Sequence, residues 1–150
     1  EIYSVRQRAF DQRLEFQNYS TQTGHVTLYA DIPSSDVLVK LIGGRYLAED
    51  SGFTIDLSKS FKSGLRLGVY ASRTDISYEE FGEGSFDKGF YFWMPIDTII
   101  SSHSRRLTGY GMRPLTRDGA QRVNVSLDLW GLTDEGNIHN IYDTFENFYD

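Results

Sequence analysis

Gly64-Leu65-Arg66-Leu67-Gly68-Val69-Tyr70-Ala71-Ser72 decides how this chain is read. Leu65, Leu67, Val69 and Ala71 alternate with Arg66, Gly68, Tyr70 and Ser72. Successive side chains of an extended strand point to opposite sides, so this run has one apolar and one polar face. The same period recurs elsewhere. Val26, Leu28 and Ala30 alternate with Thr27, Tyr29 and Asp31, and Phe53, Ile55 and Leu57 with Thr54, Asp56 and Ser58. Val123, Val125, Leu127 and Leu129 alternate with Arg122, Asn124, Ser126 and Asp128. Weaker strand patterns cover 11–18, 36–47, 86–96 and 105–113. The expectation is about eight strands, several of them ~9–11 residues long, the length a tilted strand needs to cross a bilayer. Turns fall at Pro33-Ser34-Ser35, Glu49-Asp50-Ser51-Gly52 and Lys62-Ser63-Gly64. Asp118-Gly119 reads as the turn joining the last two strands, with positive φ on Gly119.

The 150 residues make one domain's worth of chain. A net charge of −6 argues against a nucleic-acid binder held by a basic face. Cysteine is absent, which removes disulfides, zinc thiolates and thiol nucleophiles from consideration. No apolar run is long enough for a transmembrane helix. With 15% aromatic residues the chain is too rich in buriable surface to be disordered. It begins at Glu1 with no leader pattern, as expected of a mature chain or a piece of a longer one. Ile138, Ile141, Tyr142, Phe145, Phe148 and Tyr149 follow helical spacing. The division is therefore a β segment over 1–136 and an amphipathic helical tail over 137–150.

Alternation does not say which face is inside. In a soluble sandwich or barrel the apolar face is the core. In an outer-membrane barrel it meets lipid, and the polar face lines the lumen. Two features favour the membrane. Ionisable residues sit mid-strand on the polar faces: Arg13, Glu15, Lys40, Asp56, Arg66, Arg122 and Asp128. Aromatics gather near strand ends, as interfacial girdles require: Tyr19, Tyr46, Phe61, Phe81, Phe86 and Trp130. The fold class is all-β, and on the residues alone an antiparallel outer-membrane-type barrel, by itself or within a larger barrel, with a short C-terminal helix, stands level with one alternative. The alternative is a soluble β-sandwich or barrel that binds carbohydrate.

Catalytic patterns are weak. His25, His103 and His139 share no ligand spacing, so no metal site or cofactor is assigned. Glu79, Glu80, Glu83 and Asp87 read as a solvated acidic loop, and no serine occupies a nucleophile elbow. Arg105, Arg106, Arg113, Arg117 and Arg122 concentrate positive charge in an acidic chain. Guanidinium forks suit carboxylates and phosphates, so these five are candidates to contact an acidic polysaccharide, lipopolysaccharide phosphates or a protein partner. Lumen salt bridges are the plainer role.

Two stretches carry a family resemblance. Phe81-Gly82-Glu83-Gly84-Ser85-Phe86-Asp87-Lys88-Gly89-Phe90, running on to Met94-Pro95, and Arg113-Pro114-Leu115-Thr116-Arg117-Asp118-Gly119-Ala120-Gln121 resemble signatures of the YjbH/GfcD-like exopolysaccharide and capsule biosynthesis proteins. Weaker echoes lie in 23–29 and 44–52. The resemblance implies an outer-membrane β-barrel lipoprotein of Gram-negative bacteria, matched in its C-terminal part and tied to production or export of extracellular polysaccharide. It implies outer-membrane lipid and other chains or segments of the export machinery as partners. No enzymatic residues come with it, and a structural or transport component is expected.

Overall fold

The computed structural model describes residues 1–9, 15–77, 86–100, 106–114 and 119–125, together with Thr133. Each alternating run within them, up to residue 112, is a strand. β1 is Ile2–Arg8, β2 Phe16–Ile32, β3 Val37–Arg45, β4 Ser51–Ser60, β5 Arg66–Thr74, β6 Asp87–Pro95 and β7 Leu107–Met112. All neighbours pair antiparallel in sequence order, so the sheet is a meander curved into a half-barrel. Tight turns at 33–36 and 61–65 join β2 to β3 and β4 to β5. Gly64 takes φ 79° in the second, a left-handed conformation that suits glycine.

Register converts alternation into two faces. Leu28, Leu41, Ile55 and Ala71 form one row, and Ala30, Val39, Leu57, Val69, Phe90 and Met112 the next. These rows lie on the convex side and their large side chains are exposed: Leu28 is 63% accessible and Val69 53%. Thr27, Tyr29, Lys40, Asp56, Tyr70 and Tyr91 take the other parity and line a concave cavity. What is buried lies on that concave side, where Leu38, Ile42, Tyr46 and Ala120 meet a largely polar set including Thr23, Thr54, Ser72 and Asp87.

Four expectations change. Residues 2–8 form a strand that alternation did not announce. β2 is one strand of 17 residues, uniting the separate patterns at 11–18 and 24–33 over its described length. Its first part, Tyr19-Ser20-Thr21-Gln22-Thr23, is polar on both faces, so no hydrophobic period marks it, and pairing with β1 holds it extended. Residues 121–125 are not a strand; they run along the concave side, and Val123 and Val125 line the cavity there rather than joining the convex apolar face. Of the Asp118-Gly119 turn, Asp118 lies outside the described residues; the neighbouring Ala120 has φ 58°. Among the described residues there are seven strands rather than eight, and β1 and β7 are edges that do not pair with each other. The helical tail lies outside the described residues.

Candidate functional site

Side-chain parity brings Lys40 of β3, Asp56 of β4 and Arg66 of β5 onto the concave face. Tyr29, Lys40, Asp56 and Tyr70 stand opposite one another across four strands. Lys40 Nζ lies 5.8 Å from the Tyr29 ring centroid. In a second row Arg66 faces Trp93, which faces Gly109. Between these rows Tyr91 sits with Gly68 on one side and Gly111 on the other. Its hydroxyl donates to Asp56 Oδ1 at 2.8 Å, reaching across β5 to β4.

That reach needs a glycine. A Cβ on Gly68 would meet Tyr91 Cζ at 2.2 Å, and one on Gly109 would meet Trp93 Cε3 at 2.3 Å. Tyr70 lies over Gly89 in the same way, at 2.6 Å. Three aromatic side chains thus lie along the wall instead of standing up from it. We expect Gly68→Val to lift Tyr91 off the sheet and break its bond to Asp56, at ~1–3 kcal/mol of stability in a denaturant titration. Gly111, whose nearest neighbour is 3.6 Å from a built Cβ, should tolerate alanine much better.

At the end of the half-barrel that holds the β3–β4 turn, the interior is sealed. Tyr46 folds inward, 0% exposed, because its backbone N–H is bound to Asp50 O at 2.7 Å in a tight turn. Its hydroxyl shares a 2.7 Å hydrogen bond with Thr54, which donates to Ser72 Oγ at 2.7 Å. Burial pushes the Tyr46 hydroxyl up from the usual tyrosine range. His25 packs edge-on against the Tyr46 ring at 4.8 Å. Residues 119–125 are tied to this seal: Ala120 N–H donates to Asp50 Oδ2 at 2.9 Å, and Leu47 N–H to Gln121 O at 2.9 Å. Arg113 donates to Asp87, which is 1% exposed, and to Gln121 Oε1 at 3.2 Å. Between the wall and residues 120–125 remains a cavity of about 870 Å³.

Lys40, Asp56, Arg66, Arg113 and Arg122 all border this cavity. Glu15 is exposed in the β1–β2 connection and Arg106 is exposed ahead of β7; neither borders it. Arg13, Arg105, Arg117 and Asp128 lie outside the described residues, as do Glu79, Glu80 and Glu83. Asp87, grouped by sequence with a solvated acidic loop, is instead buried at the start of β6. Tyr46 was expected in an interfacial girdle, yet its ring is inside. Tyr19, Phe61 and Phe86 are exposed, while Phe81 and Trp130 fall outside the described residues. Sequence reasoning missed Tyr70, Tyr91 and Trp93 as one aromatic wall. Its signal was glycine at 68, 89 and 109, legible only once the strand register is known.

Comparison with known proteins returns one consistent result. The family model YjbH, described as "Exopolysaccharide biosynthesis protein YbjH", matches residues 1–135. A protein of Escherichia coli (strain K12) described as "Uncharacterized lipoprotein YjbH" is 41% identical over 134 residues, covering 88% of this chain. The aligned part is 19% of that relative, so the chain spans about a fifth of its length. No solved structure matches.

Proposed function

This chain belongs to the YjbH family of exopolysaccharide biosynthesis proteins, and from that premise we propose that it is a wall segment of an outer-membrane β-barrel supporting export or assembly of an extracellular polysaccharide. The observation that carries this is the convex face. Large apolar side chains cover it from β2 to β7, and all the same they are exposed. A water-soluble monomer rarely leaves so broad an apolar surface uncovered. Lys–aromatic pairs stand at both rims: Lys59 Nζ lies 5.6 Å from the Phe61 ring centroid, and Lys88 Nζ 4.5 Å from that of Phe86. Such residues suit the headgroup level, where an aliphatic stem or ring contacts hydrocarbon and the charge reaches water. β4 has 10 residues. At roughly 3.4 Å per residue and a tilt of about 45°, such a strand rises about 24 Å, close to the ~25 Å apolar band of outer-membrane barrels.

The concave side then becomes lumen wall, and its ionisable residues face water or one another. The two unpaired edges need strands beyond the described residues, because an open edge in hydrocarbon would leave backbone groups unsatisfied. The role is structural or conductive, with no bond chemistry assigned.

Leu28 and Thr27 test this directly, being neighbours on β2 with opposite facing. The chain has no cysteine, so Leu28→Cys and Thr27→Cys each accept one environment-sensitive fluorophore. In protein reconstituted into vesicles, the label at 28 should be quenched by lipid-bound nitroxide and the label at 27 by a water-soluble quencher. A water-exposed label at 28 would return the chain to the soluble carbohydrate-binding reading.

A further inference from the structure

The concave wall has a chemistry that holding a lumen open does not require. Tyr70, Tyr91 and Trp93 lie across glycines of neighbouring strands, so ring surface lines the cavity. Trp93 keeps 47% of its surface accessible there. Around the rings stand hydrogen-bonding groups of both kinds: Lys40 and Arg66 donate, and Asp56 accepts. Residues 120–125 form the opposite side. Charge on the lining is nearly balanced, since Lys40, Arg66, Arg113 and Arg122 stand with Glu1, Asp56 and Asp87. A volume of about 870 Å³ lies within the roughly 300–1,000 Å³ usual for ligand sites.

A sugar ring has an apolar C–H face and a rim of hydroxyls. The electron-rich face of an aromatic ring attracts the first, and mixed donors and acceptors satisfy the second. We propose that this slot binds a segment of the polysaccharide chain, with sugar rings stacked on Trp93 and Tyr91 and hydroxyls bridged by Lys40, Asp56 and Arg66. The proposal rests on the exopolysaccharide reading above and deepens it by naming the contact surface. It moves glycan recognition from the arginine cluster of 105–122 to the aromatic wall. Stacking, unlike attraction to a phosphate or carboxylate, is insensitive to salt.

The test uses the cells' own secreted polysaccharide, purified and cut to oligomers, titrated into reconstituted protein by calorimetry. Trp93→Ala should weaken binding about 3–10-fold, the worth of one aromatic contact. Trp93→Phe, which keeps a ring, should recover most of that loss. Raising salt from about 0.1 M to about 1 M shortens the Debye length from about 10 Å to about 3 Å, and binding should change little. Absence of binding to the wild type, full binding by Trp93→Ala, or collapse of binding with salt overturns the proposal. If Trp93→Ala does not fold, a Trp130→Phe background serves instead. Bound oligomer must then shield Trp93 from acrylamide quenching, and no shielding overturns the slot. The fluorophore at position 28, read in the same samples, separates two failures. A lipid-facing label without glycan binding removes the slot alone; a water-facing label removes the membrane reading.

Discussion

Val69→Arg is expected to cost ~2–4 kcal/mol of folding free energy in a bilayer, the penalty of an arginine near mid-membrane on a barrel's lipid face. Val69 is 53% exposed on the convex side, in the row that runs from Ala30 through Val39 and Leu57 to Phe90 and Met112. In water an exposed valine replaced by arginine is close to neutral, usually within about 0.5 kcal/mol. The two solvents therefore predict different numbers for one substitution. Phe61→Arg is the control for depth. Phe61 lies at the rim beside Lys59, where the same change should cost only ~0–1 kcal/mol. Reversible unfolding in lipid vesicles measures both. Equal losses at 69 and 61, or none at 69, would remove the convex face from the membrane.

The second large effect belongs to Arg113→Ala. Arg113 donates to Asp87, a carboxylate 1% exposed, while also holding Gln121. Removing the guanidinium leaves a buried charge without its partner, which costs ~3–5 kcal/mol in closed interiors. The lower end is expected here, because the Arg113 side chain is 39% exposed and water can reach the gap. Asp87→Asn in the same chain should recover a large part of the loss, since the amide carries no charge to strand. A double-mutant cycle in denaturant checks this. If Arg113→Ala is neutral while its double with Asp87→Asn is not, the pair is not what holds residues 119–125 against the wall. Either way Arg113 is anchored inside the site and its effect on export must be read against stability.

Much of the site was legible because side-chain direction along a strand has period two whatever the partner strand is. Lys40, Asp56 and Arg66 could be assigned to the polar face from their neighbours alone, and the structure puts all three on one cavity. Tyr46 and Asp87 could not. Each looked like a residue of a strand end or a solvated loop. Tyr46 turns inward because the turn to Asp50 directs it, and Asp87 is buried because Arg113, 26 residues onward, meets it. The Arg122–Val125 pattern shows the limit from the other side. Its alternation is as regular as that of β5, yet the Leu47 N–H bonded to Gln121 O and the Asp50 carboxylate that accepts from the Ala120 N–H hold this segment in a non-strand path along the wall.

What the amino-acid order determined by itself is the all-β class, the positions of β3 to β6 and, for β4 and β5, the sorting of side chains into an apolar and a polar face; β3 in its first half and β6 throughout read as apolar or aromatic on both faces. Those are local properties, set by stereochemistry within each strand. Only the tertiary structure decided that β1 exists, that β2 runs 17 residues through a stretch polar on both faces, and that the last described segment crosses the concave side. Each of these depends on hydrogen bonds between residues far apart in the chain, and a backbone donor or acceptor carries no mark in its own side chain of the distant partner that will satisfy it.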